Sequence, residues 1–176
     1  MGDNGDHRTS TRLDSHDNMV VVGSHVSVFG HSGKSADVRP FSSDCSKLES
    51  VPIVDAAVAY DCPYTMKTYI LAVKNALQHV PSMEHNLVPP FILREAGLVV
   101  NDVPKIHTKR SELSVDTHCV VASKENNEID LRIPMQLDGI FSYFATRKLT
   151  QEEIETCEYI ETLQLCPDND DWDPYI

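Results

Sequence analysis

The chain has no Cys-x-x-Cys pair, and its five cysteines, Cys45, Cys62, Cys119, Cys157 and Cys166, are widely spaced. That spacing argues against a zinc ribbon or a compact disulfide framework, and the thiols read as buried or idle. No apolar run approaches the roughly 18 residues needed to cross a membrane. Residues 1–12 are polar and contain nothing resembling the apolar centre of a signal peptide. These absences point to a cytoplasmic protein, or to a piece of a longer one, with no membrane partner. Basic residues run out at Lys148, whereas nine acids lie between Glu152 and Asp173. The net charge of −12 therefore sits mainly in the tail, and residues 1–148 carry 15 basic and 18 acidic groups. A body so nearly balanced offers no electrostatic footprint for nucleic acid, and the tail would be repelled by phosphate.

Several catalytic signatures are missing as well. His16, His25 and His31 lack the i, i+4 spacing of a helical metal pair, so no metal or cofactor is expected. Ser15 and His16 are adjacent and point apart on an extended chain, and no Gly-x-Ser-x-Gly elbow is present. Gly30 to Ser35 (GHSGKS) resembles the end of a phosphate loop but lacks its first glycine, since position 28 is Val. Phe141, Tyr143 and Phe144 have only Arg147 and Lys148 near them, which favours core packing over base stacking.

The 176 residues are 41% hydrophobic, enough for one domain with a core plus tails. Residues 1–12 read as disordered. Met19 to Val22 is a β-branched run suited to a strand buried on both faces, and His25 to Phe29 alternates as a half-buried strand does. Gly30 to Lys34 reads as a turn, Ser35 to Phe41 as a strand, and Ser42 to Ser50 as a loop. Two apolar runs, Val51 to Tyr60 and Met66 to Val73, flank a five-residue turn and predict a hairpin. A helix is the competing reading of the Ala-rich run, weakened by Pro52 and Pro63. Further strands are expected at His118 to Ala122 and Ile129 to Ile133, and the aromatic Ile140 to Phe144 reads as a strand or a partner-facing patch. Thr150 with Glu153 forms a capping box, and Ile154, Cys157, Ile160 and Leu163 recur at helical spacing, which predicts a C-terminal helix over 151–165.

The most informative stretch is Asn75 to Gly97, NALQHVPSMEHNLVPPFILREAG. A strand ends at Val80-Pro81, apolar sequence resumes at Asn86-Leu87-Val88, and Pro89-Pro90 opens a segment that closes at Gly97. Proline at the first helical position and glycine just past the last one predict a short helix near 90–96. This strand–turn–strand–helix order, with Ala76-Leu77, Val80-Pro81, Asn86-Leu87 and Leu93 to Gly97, resembles the protease region of copia-type LTR-retrotransposon Gag-Pol polyproteins. An Asp-Ser pair should then follow an upstream strand, and Leu13-Asp14-Ser15 meets that requirement.

The resemblance covers Leu13 to Gly97 and implies a mainly β (α+β) chain containing a retropepsin-like small β-barrel. The implied organisation is a disordered N-terminus at 1–12, a β-domain at 13–100, a β-rich extension or linker at 101–149, and an acidic helix and tail at 150–176. It implies an aspartic endopeptidase that cleaves its own polyprotein, in the cytoplasm or within virus-like particles. A domain this short supplies one catalytic carboxylate, so the partner would be a second copy. Asp14 would be that carboxylate, Ser15 the hydroxyl that braces the two loops, and Asn86 and Leu87 part of the apolar motif supporting the loop. The hairpin of residues 51–73 would supply a flap over the substrate. The sequence departs from the family pattern at His16, where glycine is usual, and at Asp17, where a small residue is expected. Those departures keep open a second reading, a catalytically dead or domesticated β-domain acting as a structural or interaction module.

Overall fold

A computed structural model describes residues 9–15, 19–38, 48–78, 83–102, 118–138, 141–167 and 172. Among the described residues, twelve strands follow in chain order. They are β1 (Thr9–Leu13), β2 (Val21–Val22), β3 (Ser27–Val38), β4 (Leu48–Asp61), β5 (Thr68–Gln78), β6 (Asn86–Val88), β7 (Val99–Asp102), β8 (His118–Ala122), β9 (Leu131–Pro134), β10 (Gln136–Asp138), β11 (Phe141–Thr146) and β12 (Thr162–Gln164). Helix α1 (Pro90–Glu95) lies between β6 and β7, and α2 (Gln151–Glu155) precedes β12. The chain is mainly β, as expected.

Nine strands form one open, mixed sheet in the order β10-β11-β1-β6-β2-β5-β4-β3, with β12 also paired to β5. The expected small barrel is therefore corrected to an open sheet. One bridge between Ala59 and Arg147, with N–H···O distances of 2.8 and 3.0 Å, ties the end of β11 back to β4. The pairs β1–β6, β2–β5 and β12–β5 are parallel. Such pairs need long crossovers, so the chain leaving β1 builds β2 to β5 before β6 returns beside β1.

Strands β7, β8 and β9 make a second, antiparallel sheet. Its inner face alternates along the sequence: Val120 and Ala122 on β8 and Leu131 and Ile133 on β9 are buried. These side chains share one hydrophobic core with Leu13, Val54, Leu71, Ile92, Phe144 and Leu163 of the first sheet and α1. Strands β8, β9 and β11 are thus built into the same core as the strands before Gly97, and β11 pairs directly with β1. Each fully buried Leu, Ile or Phe in such a core stabilises by about 1.5–3 kcal/mol.

Several local expectations are revised. Thr9 to Arg12 is strand: the polar TSTR run pairs with β11 along its length and with β6 from Thr11 onward, and the Ser10 and Thr11 hydroxyls find hydrogen-bond partners at His85 and Thr146. Gly30 to Lys34 is not a turn but lies within β3, which bulges against β4 at three places. The Ala-rich run is strand: pairing with β3 on one edge and β5 on the other overrides alanine's preference for helix. The predicted helix near 90–96 is present, with Pro90 at its first position and Gly97 at φ +85° just after it.

The C-terminal helix is the largest revision. It stops at Glu155, a 3-10 turn covers Cys157–Tyr159, and Thr162–Gln164 is strand. The capping box at Thr150 and Glu153 is real. A longer helix would carry Glu158 and Glu161 towards its negative end, and no Lys or Arg lies beyond Lys148 to offset them. The edge of β5 offers a better solution. Ile70 N–H donates to Glu161 O at 3.0 Å and Leu165 N–H to Ala72 O at 2.9 Å, while Leu163 and Leu165 enter the core.

Candidate active site

Asp14 follows the last residue of β1. That strand lies between β11, with Leu13 opposite Ser142, and β6, with Leu13 opposite Val88. Leu13 is buried and fixes the strand end in the core. The Asp14 N–H donates to Val88 O at 3.1 Å, which carries the parallel ladder one residue past the strand. Asp14 is half-buried and Ser15 is exposed. Immediately after Val88, Pro89 is extended (φ −69°, ψ 131°) and α1 begins. One carboxyl group therefore emerges where β1 ends, beside the strand-to-helix junction.

Asn86 is 3% exposed and joins three segments. Its Oδ1 accepts the Gly23 N–H at 2.9 Å, and its Nδ2 donates to Thr11 Oγ1 at 3.4 Å. Thr11 Oγ1 is also hydrogen-bonded to Thr146 Oγ1 at 2.9 Å. A row of buried polar groups thus links β11, β1, β6 and the turn after β2. Gly23 is required here: a Cβ would stand 2.4 Å from Met83 O. Leu87 lies opposite Arg12 on one side and Val21 on the other. Ser10 completes the support, since its N–H (3.3 Å) and hydroxyl (2.9 Å) both reach His85 Nδ1.

Asp14, Asn86 and Leu87 are thus brought together on two adjacent strands, with Ser15 at the exposed side. The sequence reading missed Thr11, Thr146, Gly23, Ser10 and His85. Gly23 was visible as a break after a β-branched run, but nothing in a single sequence pairs it with Asn86. His16 and Asp17 lie outside the described residues. No cluster of three or more His, Cys, Asp or Glu side chains able to hold a metal occurs among the described residues.

No protein-family model, curated protein or solved structure matches the chain. The chemistry of the site therefore rests on its own geometry. A single half-buried carboxylate next to an exposed hydroxyl supplies one acid or base, and water activation by a carboxylate pair would need a second copy.

The hairpin expected as a flap exists as β4–β5, but its turn is anchored. Asp61 accepts from Arg147 Nε at 2.7 Å and Nη2 at 3.0 Å, and from Thr68 Oγ1 at 2.6 Å. Arg147 also makes a two-pronged contact with Glu153, at 2.7 and 2.8 Å. These hydrogen bonds raise the Arg147 pKa above its already high ordinary value, and they hold the Glu153 carboxyl below its usual range. Hairpin, strand end and α2 are pinned together, which does not suit a mobile cover. The other long hairpin, β3–β4, exposes Phe29 and residues 31–35 on its outer strand. Among the described residues no helix is long and apolar enough to cross a membrane.

Proposed function

We propose that this chain is the aspartic protease region of a copia-type retrotransposon Gag-Pol polyprotein, active in the cytoplasm or in virus-like particles as a homodimer of retropepsin type. The observation that carries the reading is the parallel pairing of β1 with β6, which sets the Asp14 N–H on Val88 O immediately before a proline-initiated helix. Asn86 supports it from below, bonded at once to β1 and to Gly23. In this reading two Asp14 carboxyls meet across the dimer axis and share one proton. One carboxylate takes a proton from the bound water, and the protonated partner donates to the scissile carbonyl oxygen. Like charges so close cannot both ionise, so the pair titrates in two separated steps. Ser15, exposed in the single chain, becomes the brace between twin loops. The flap role passes from β4–β5 to the β3–β4 hairpin.

The test is cleavage of a polyprotein-derived peptide by the purified chain, with pepstatin and Asp14→Asn as controls. Pepstatin-sensitive cleavage that disappears in Asp14→Asn is the expected result. Cleavage that survives Asp14→Asn removes the catalytic assignment. The second reading, a non-catalytic β-module of the same origin, is favoured by His16 and Asp17, whose Cβ atoms and extra charge occupy positions where the family keeps small residues. It expects a monomer with no pepstatin-sensitive activity.

A further inference from the structure

The inner face of the second sheet is apolar except at one end. There Asp102 on β7 and His118 on β8 are cross-strand neighbours. His118 is 1% exposed, and neither ring nitrogen has a hydrogen-bond partner. Its Nδ1 lies 3.8 Å from Asp102 Oδ1, too far for a hydrogen bond. That same oxygen accepts from Ser142 Oγ at 2.5 Å. Ser142 stands on β11 opposite Leu13, the residue before Asp14. The Asp102–Ser142 bond is thus a polar link from the second sheet to the strand that flanks β1, and it ends against a buried imidazole.

We propose that His118 is a buried acid-sensitive latch: neutral, it lets β7–β8 dock on β11 through Asp102 and Ser142, and protonated, it releases that corner. A neutral imidazole already leaves two polar atoms buried and unpaired. An imidazolium in the same place must be solvated or paired. The charged and titratable groups on the surrounding elements offer little. On β7 there is Asp102, whose Oδ1 is engaged by Ser142. On β9, Arg132 sits opposite Val121 and is exposed. On β11, Tyr143 donates to Gln136. On β1, Arg12 pairs with Asp138 of β10 at 3.3 Å. On β8 itself, Cys119 is buried and accepts from Asn101 Nδ2 at 3.9 Å. At 3.8 Å Asp102 offsets a charge on His118 only in part, and closing that gap to a hydrogen bond requires Asp102 to shift against its contact with Ser142, which loosens the corner. Burial lowers the His118 pKa, and the attraction of Asp102 only partly opposes it.

The sign follows directly. A histidine whose folded pKa is depressed binds its proton more readily when released, so docking is full above the ordinary value of about 6.5 and is lost as pH falls below it. This holds whether or not Asp14 is catalytic.

The test is amide hydrogen exchange of the intact chain between pH 7.5 and 5, corrected for the intrinsic pH dependence of exchange. Protection in Val99–Asp102 and His118–Ala122 should fall by up to about tenfold per pH unit below about 6.5. His118→Leu should flatten that dependence. His118→Gln, which keeps a polar side chain but does not titrate, should also flatten it if the leucine variant folds poorly. Wild-type protection that does not change with pH, or an unchanged pH dependence in His118→Gln, would overturn the proposal.

Discussion

Asn86 ties β6 to β1 and to the turn after β2 through one buried side chain. Replacing it with alanine leaves the Gly23 N–H unpartnered in the interior and removes the bond to Thr11. An orphaned buried donor costs about 1–3 kcal/mol, so Asn86→Ala should lower the denaturant midpoint with little change in slope. Gly23→Ala acts on the same turn by a different route. Its Cβ meets a backbone oxygen that cannot rotate away, and overpacking of this kind costs about 1–3 kcal/mol. The two variants should be non-additive, since both displace the contact between the β2 turn and β6. A double-mutant cycle measures this, and full additivity would contradict the shared network. Glu153 makes a residue-scale prediction in pH. Its folded pKa is depressed, so its contribution is present above the usual carboxylate value and fades as pH falls through it. Arg147→Met should remove that part of the acid dependence of unfolding, a change readable by thermal melts between pH 3 and 6.

At the scale of elements, β12 sits where a helix was expected. Leu163 is 2% exposed and belongs to the main core, so Leu163→Ala should cost about 2–5 kcal/mol. On an amphipathic surface helix the same change would cost far less. Ending the chain at Glu161 should uncover the Ile70–Ala72 edge of β5 and promote association, which light scattering would detect. What could be read beforehand divides along physical lines. Strand β8, the β4–β5 hairpin and α1 were legible because alternation, paired apolar runs and the Pro–Gly bracket are local signals. Strand β1 was hidden because Thr9 to Arg12 is polar, and its place depends on hydroxyl partners at Thr146 and His85, far away in sequence. The C-terminal error came from a correct cap and a correct apolar spacing. Neither reveals that a distant strand edge competes for the same backbone groups. In the candidate site, Asp14 and Asn86 were named from the resemblance, but their mutual geometry depends on a crossover that no local pattern encodes.

For the whole molecule, both sheets share one core from Leu13 to Cys166, so cooperative unfolding is expected despite the two sheets. Changes in the β7–β9 sheet should therefore reach the β1 end through Ser142. The central claim is that Asp14 functions only in a pair. It is tested most directly by holding the wild-type chain constant and adding increasing amounts of Asp14→Asn protein while following cleavage of a polyprotein-derived peptide. Mixed dimers would hold one ionisable Asp14, so the rate should fall towards zero as the variant comes into excess. A rate that stays level throughout the titration, with exchange of subunits verified by labelled chains, would contradict the account.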